Sequence, residues 1–172
     1  MLRKFILAVA IATTFGCTST YTQLEIRSLS AKLNPELGVL ISTPEDGWYG
    51  EKKYQNSGRM TSNAMVAAFS KYAKRVDVTS DCNGAQCLND IDSQEYGYFV
   101  EPRILHWEDR NTEWSGKPDR IEIQVTIFDT ASKSELAKTS FTGKSKWGTL
   151  GGDHPQDLLT EPTSNYVEKM YK

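Results

Sequence analysis

Between residues 121 and 127 apolar and polar side chains alternate without a break: Ile121, Ile123, Val125 and Ile127 against Glu122, Gln124 and Thr126. Successive side chains of a strand point to opposite faces, so this segment reads as a strand with one dry and one wet face. The turn formers Asp129-Thr130-Ala131-Ser132-Lys133-Ser134 then send the chain back into Leu136–Thr142 as a hairpin. A chain committed to such a sheet must cover its dry face with another apolar surface.

Helices supply that cover. Met65, Ala68, Phe69, Tyr72, Ala73 and Val76 recur at three- and four-residue steps after the N-capping types Thr61-Ser62-Asn63. A second helix is expected from Asp153-His154-Pro155 onward, with Leu158, Leu159, Tyr166, Val167, Met170 and Tyr171 on its apolar side and Pro162 dividing it. Gly38–Ser42 is a short apolar run of strand length, and Val76–Val78 is another short strand. Tyr96, Tyr98 and Val100 alternate, and the strand continues through Ile104–Trp107, with Pro102 demanding an edge position or a bulge. Leu24, Ile26, Leu29 and Leu33 fit neither period, so residues 24–33 receive no assignment. The order strand, helix, strand, three-strand meander, helix predicts an α+β domain: a mainly antiparallel sheet with helices packed on one face.

The N-terminus gives an address. Met1-Leu2-Arg3-Lys4 is basic, Phe5–Ala12 is apolar, and Gly16 precedes Cys17. This is the order of a bacterial export signal. A cysteine directly after the small residue reads as a lipoprotein signal, with Cys17 acylated as the new N-terminus. Thr14 stands where an aliphatic residue is usual, so plain secretion is the competing reading. The apolar run is too short for a bilayer-spanning anchor, which needs about 20 residues. Thr18, rather than an acidic residue, follows the cysteine, which favours outer-membrane sorting on the periplasmic face. The expected organisation is a signal peptide at 1–16, a lipidated cysteine and tether at 17–37, and one domain at 38–172.

Composition removes some classes of function. The chain has 20 Lys and Arg against 22 Asp and Glu, and the leader takes Arg3 and Lys4 with it. A net acidic chain gives no electrostatic case for nucleic acid or for anionic lipid, so membrane attachment is assigned to the acyl chains on Cys17. Cys82 and Cys87 flank a small loop containing Asn83-Gly84. In an oxidising compartment they read as a disulfide that pins one loop, with stabilisation at the low end of the usual few kcal/mol.

Two segments concentrate polar and aromatic residues: 106–120, which links two strands, and 144–155, which leads into the last helix. Tyr54…Ser57-Gly58, His106-Trp107-Glu108-Asp109-Arg110, Thr112-Glu113-Trp114-Ser115-Gly116 and Gly151-Gly152-Asp153-His154-Pro155 with Leu158-Leu159 together resemble the domain of unknown function 4823 family, small envelope lipoproteins of Gram-negative bacteria. The resemblance covers roughly residues 38–171 and implies an envelope lipoprotein with no established activity.

The link at 108–118 is the expected partner-binding face, with Arg110, Glu113, Trp114 and Lys117 as its anchors, since Trp and Arg dominate interface energetics. Alternatively Trp114 folds back as a lid, with Arg110 pairing Glu113 or Asp119. His106 and His154 are the only histidines; if their loops met, they and nearby carboxylates could hold a divalent metal or supply a base. Their spacing matches no metal-ligand motif, and the nucleophile and phosphate-loop motifs are missing. No catalytic residue, metal or cofactor is expected. The functional expectation is a non-enzymatic binding module whose partner is an envelope protein or glycan. A structural subunit of an envelope complex, with self-association left open, is the alternative; a metal-dependent hydrolase ranks third.

Overall fold

A computed structural model describes residues 19–110, 117–146 and 154–172. In chain order its elements are β1 (Thr20–Arg27), β2 (Gly38–Ser42), β3 (Trp48–Tyr49), β4 (Lys52–Lys53), α1 (Ser57–Phe69), β5 (Val76–Thr79), β6 (Tyr96–Glu108), β7 (Arg120–Asp129), β8 (Glu135–Lys144) and α2 (Thr160–Tyr171). Six strands form one sheet in the order β1-β8-β7-β6-β2-β5, and β3 and β4 pair separately.

The α+β class and the β6–β7–β8 antiparallel meander stand as read from the sequence. The sheet, however, is mixed: β2 runs parallel to both β5 and β6. The reason is the helix between β2 and β5. A strand followed by a crossover helix returns to the same end of the sheet and continues parallel. The apolar run Gly38-Val39-Leu40-Ile41 carries the matching signature, since parallel strands are buried on both faces.

Residues 20–27, read as part of a tether and an unassigned stretch, form the edge strand β1 paired with β8. The sheet therefore begins within what the sequence assigns to the tether. Helix α1 starts at Ser57, before the expected Thr61-Ser62-Asn63, and ends at Phe69, so Tyr72 and Ala73 pack on the core from the turn beyond it. His154 leads into a 3-10 turn over Pro155–Leu158, where Asp157 Oδ2 accepts from the His154 amide at 2.9 Å, and α2 follows with Pro162 in its first turn.

Both helices cover one face. Ile121, Ile123, Val125 and Ile127 of β7 pack there with Phe69, Phe141, Tyr166 and Val167. The second face is dry at one end only, where Phe99 and Phe128 lie under Cys87 and Leu88 of the cysteine loop. The Cys82–Cys87 bond is formed. Loop-closure entropy gives such a short bridge about 2 kcal/mol. It also holds Cys87 and Leu88 over the sheet, which explains why β6 is buried on both faces around Phe99 instead of alternating. Pro102 lies past Ile41–Val100, the last paired position of β2, where among the described residues β7 alone pairs with β6.

Candidate functional site

The end of β6 carries the sequence His106-Trp107-Glu108-Asp109-Arg110. Strand alternation sends Trp107 to the helix face opposite Ile121, where it is buried, and sends His106 and Glu108 to the other face. Glu108 is only 2% exposed. A carboxylate so placed requires charged or hydrogen-bonding partners. It has three: the Arg110 guanidinium in an ion pair, His106 Nε2 at 3.3 Å, and the Tyr49 hydroxyl. Burial pushes its pKa up, but Tyr49, His106 and Arg110 together outweigh burial and hold the carboxyl below its usual range. Glu108 is therefore ionised near neutral pH and committed to a structural clamp.

Arg110 ties this clamp to neighbouring segments. Its amide donates to Asp119 Oδ1 at 2.6 Å, its Nη2 donates to the Tyr49 hydroxyl at 3.4 Å, and its guanidinium lies 5.6 Å from the Tyr49 ring centre. The Asp119 amide donates to Ser145 Oγ, and the Ser145 amide donates back to the Asp119 carbonyl. Four chain segments thus meet at one corner.

The β3–β4 hairpin closes the corner from outside. Gly50, at φ 59°, makes the tight turn that lets Trp48 and Tyr49 face Lys52 and Lys53. Tyr49 meets His106 edge to face at 5.4 Å, and the Tyr54 hydroxyl donates to the Asp109 carbonyl at 3.3 Å. On the hairpin Trp48 is 55% exposed, and on β6 Leu105 is 51% exposed. Both line a groove of about 640 Å³ whose polar wall includes Asn83, Gln86, Glu101 and Arg103. Glu101 is buried and paired with Arg103 at 2.8 Å.

Of the expected anchors, Arg110 is in the corner and Lys117 is exposed beside it, whereas Glu113 and Trp114 lie outside the described residues, as do Trp147 and Cys17. Arg110 pairs with Glu108 by its guanidinium and with Asp119 by its amide. His106 and His154 are not brought together. His106 sits on the open face, while the turn that His154 begins places Leu158 against Gly143 on the helix face. Among the described residues no three His, Cys, Asp or Glu side chains are grouped to hold a metal. Sequence reasoning missed Trp48, Tyr49 and Leu105. A signal was available in Trp48-Tyr49-Gly50-Glu51-Lys52-Lys53, a turn glycine between two aromatics and two lysines.

The family described as Domain of unknown function (DUF4823) matches residues 31–170. No curated protein matches by sequence. Among solved structures, the PelC dodecamer from Paraburkholderia phytofirmans is similar with a TM-score of 0.62 at 14% identity, covering 90% of this chain and 99% of that one. Protein XCC0632 from Xanthomonas campestris is similar with a TM-score of 0.53 at 15% identity, covering 84% of this chain and 92% of that one. At these identities the likeness is one of fold.

Proposed function

This chain belongs to the DUF4823 family, and we propose that it is a lipid-anchored, non-enzymatic binding module of the bacterial outer membrane, facing the periplasm. The export leader and Cys17 support the address. No helix among the described residues is long and apolar enough to cross a membrane. The acyl chains would do the anchoring.

One observation carries the binding role: Trp48 and Leu105 stand more than half exposed in the lining of a single groove. Large apolar side chains held in that way act as anchors for a partner, and tryptophan does so more than any other type. The Glu108–Arg110–Tyr49 clamp ties β3, which carries Trp48, to the end of β6. The same clamp speaks for binding over catalysis, because the buried carboxylate is engaged on three sides. Arg110 and the exposed Lys117 are assigned to the same contact, together with Glu113 and Trp114, which lie outside the described residues. The polar wall of amides and charges suits a glycan or a polar protein surface.

The test is photo-crosslinking in living cells with the reactive residue at position 48, again at position 114, and as control at Ala67 on the exposed side of α1. A discrete adduct from 48 and 114, not from 67, is the expected result. Equal capture at 67, or none at 48 and 114, refutes the assignment.

A second reading makes the chain a subunit of a self-assembled complex, and the edge strand favours it. Leu24 at 66% and Ile26 at 51% exposure lie on β1, whose outer edge has no strand beside it among the described residues. An exposed apolar edge is a template for another chain. The similarly folded PelC is a dodecamer. Light scattering at micromolar concentration should then show an oligomer that Leu24→Glu with Ile26→Glu reduces to monomer. A monomeric parent chain removes this reading.

A further inference from the structure

The register of the sheet aligns Thr20 of β1, Lys144 of β8, Arg120 of β7 and Glu108 of β6 in one row. The next row on the same face holds Thr22, Thr142, Glu122 and His106. Between these rows lies a cleft of about 360 Å³ lined by His106, Arg120, Glu122, Thr142 and Lys144. Arg120 and Lys144 are exposed. Among the described residues, neither has a carboxylate at ion-pair distance: Glu108 is taken by Arg110 and His106. Glu122 is the cleft's acidic wall, but its Oε1 accepts from Ser140, in the row beyond Thr142 and away from Arg120 and Lys144. The open side of the cleft thus presents a guanidinium and an ammonium beside the hydrogen-bonded hydroxyl pair of Thr142 and Thr22, a set of groups that suits a phosphate.

The chain itself says which phosphate is near. Only Thr18 and Ser19 separate Cys17 from Thr20. Three residue steps span at most about 11 Å. An acylated Cys17 therefore keeps Thr20, the first residue of the Thr20–Lys144–Arg120 row, within about 11 Å of the lipid-anchored residue and so close to the phospholipid phosphates. The net acidic charge of the chain does not oppose this, because headgroup attraction acts within about a Debye length and depends on local charge. Nor is high intrinsic affinity required, since the anchor keeps the local headgroup concentration high.

We propose that the cleft between His106, Arg120, Thr142 and Lys144 binds the phosphate of a phospholipid headgroup in the leaflet that carries the Cys17 acyl chains, and thereby fixes how the domain stands on the membrane. This rests on the reading of Cys17 as acylated. It orients the sheet with the β1 start and β8 end toward the lipid, and the β7–β8 turn at Ser132 away from it.

The test uses the acylated mature chain in nanodiscs of phosphatidylethanolamine and phosphatidylglycerol carrying a trace of headgroup-spin-labelled lipid. Amide signals of Thr142 and Gly143 should broaden strongly and that of Ser132 should not. Arg120→Gln with Lys144→Gln, at exposed positions that leave the fold intact, should abolish most of that broadening while the protein stays in the disc. Unchanged broadening in the double variant overturns the proposal, because the anchor alone then explains the proximity. A soluble Cys17→Ser chain is titrated in parallel with dihexanoyl-phosphatidylglycerol and with inorganic phosphate. Saturable shifts at Thr142 with the lipid, weakened on the order of twenty-fold in the double variant, support the headgroup site. Shifts with inorganic phosphate alone overturn the lipid source. Intact mass reads acylation separately: an unmodified Cys17 refutes the anchor, while the soluble-lipid titration still decides the cleft.

Discussion

A Gly58→Ala chain is expected to lose about 3 kcal/mol of stability, adding the cost of an overpacked methyl to that of a lost cap. The sign is the informative part. In an exposed helix the same change is worth up to about 1 kcal/mol in favour of alanine. Here an added Cβ would lie 2.1 Å from the Pro44 carbonyl oxygen, which is backbone and cannot rotate away. The Gly58 amide donates to Asp46 Oδ1 at 3.0 Å, and the Gly47 amide donates to Ser57 Oγ at 2.8 Å. The 44–47 segment cannot retreat either, because a Cβ at Gly47 would already lie 2.6 Å from Trp107 Cβ. It is wedged between α1 and β6. Urea unfolding should show a lower midpoint with an unchanged slope, and crosslinking from position 48 should fall, because Pro44–Gly47 line the groove. A variant as stable as the parent or more so would show that this junction yields freely.

That junction also shows why the start of α1 was not legible. Thr61-Ser62-Asn63 satisfies every local rule for an N-terminus, yet the acceptor that stabilises the helix start is Asp46, on a different segment. Local capping rules cannot find a cap supplied by tertiary structure. Instead Thr61 lies inside the helix and donates its hydroxyl to the Ser57 carbonyl at 2.9 Å. Strand β1 failed for the opposite reason. Thr22 and Leu24 share the uncovered face of the sheet, and a register irregularity at Ile26 interrupts the alternation, so the apolar pattern carried no burial signal. By contrast, Ile121 through Ile127 form a central strand with one covered face, the case in which period and burial agree.

The site divides in the same way. Arg110 was singled out because polar and aromatic residues are dense along 106–120. Its partner Tyr49 lies about sixty positions earlier on a two-residue strand, and nothing in the sequence around either residue encodes that meeting. The cysteine spacing gave the bridge, but that its loop caps Phe99 and Phe128 depends on where β6 and β7 place those rings. Pairings within a hairpin or a helix turn could be read along the chain. Those made between distant segments required the fold.

Removing the carboxylate of Glu108 tests the most heavily committed of those distant pairings. Glu108→Ala should cost about 3 kcal/mol, at the lower edge of the range for breaking a buried pair because Arg110 retains some solvent contact. Glu108→Gln keeps shape and acceptor oxygen, so it should cost less and isolates the charge. Its effect must depend on pH in a definite direction. The folded carboxyl titrates below its ordinary value, so the unfolded chain takes up the proton at higher pH than the folded one. The contribution is complete above the unfolded value of about 4.3 and disappears as pH falls through the lower folded value. Urea midpoints of the parent and Glu108→Gln chains should therefore differ most from neutrality down to about pH 5 and converge in stronger acid. Taking the difference cancels the other carboxyls held low by partners, such as Asp77 beside Arg75 and Tyr96. A gap that widens on acidification would mean that the folded state prefers Glu108 protonated. Burial would then have defeated Tyr49, His106 and Arg110, and the corner would hold a neutral acid, open to proton transfer, in place of a clamp.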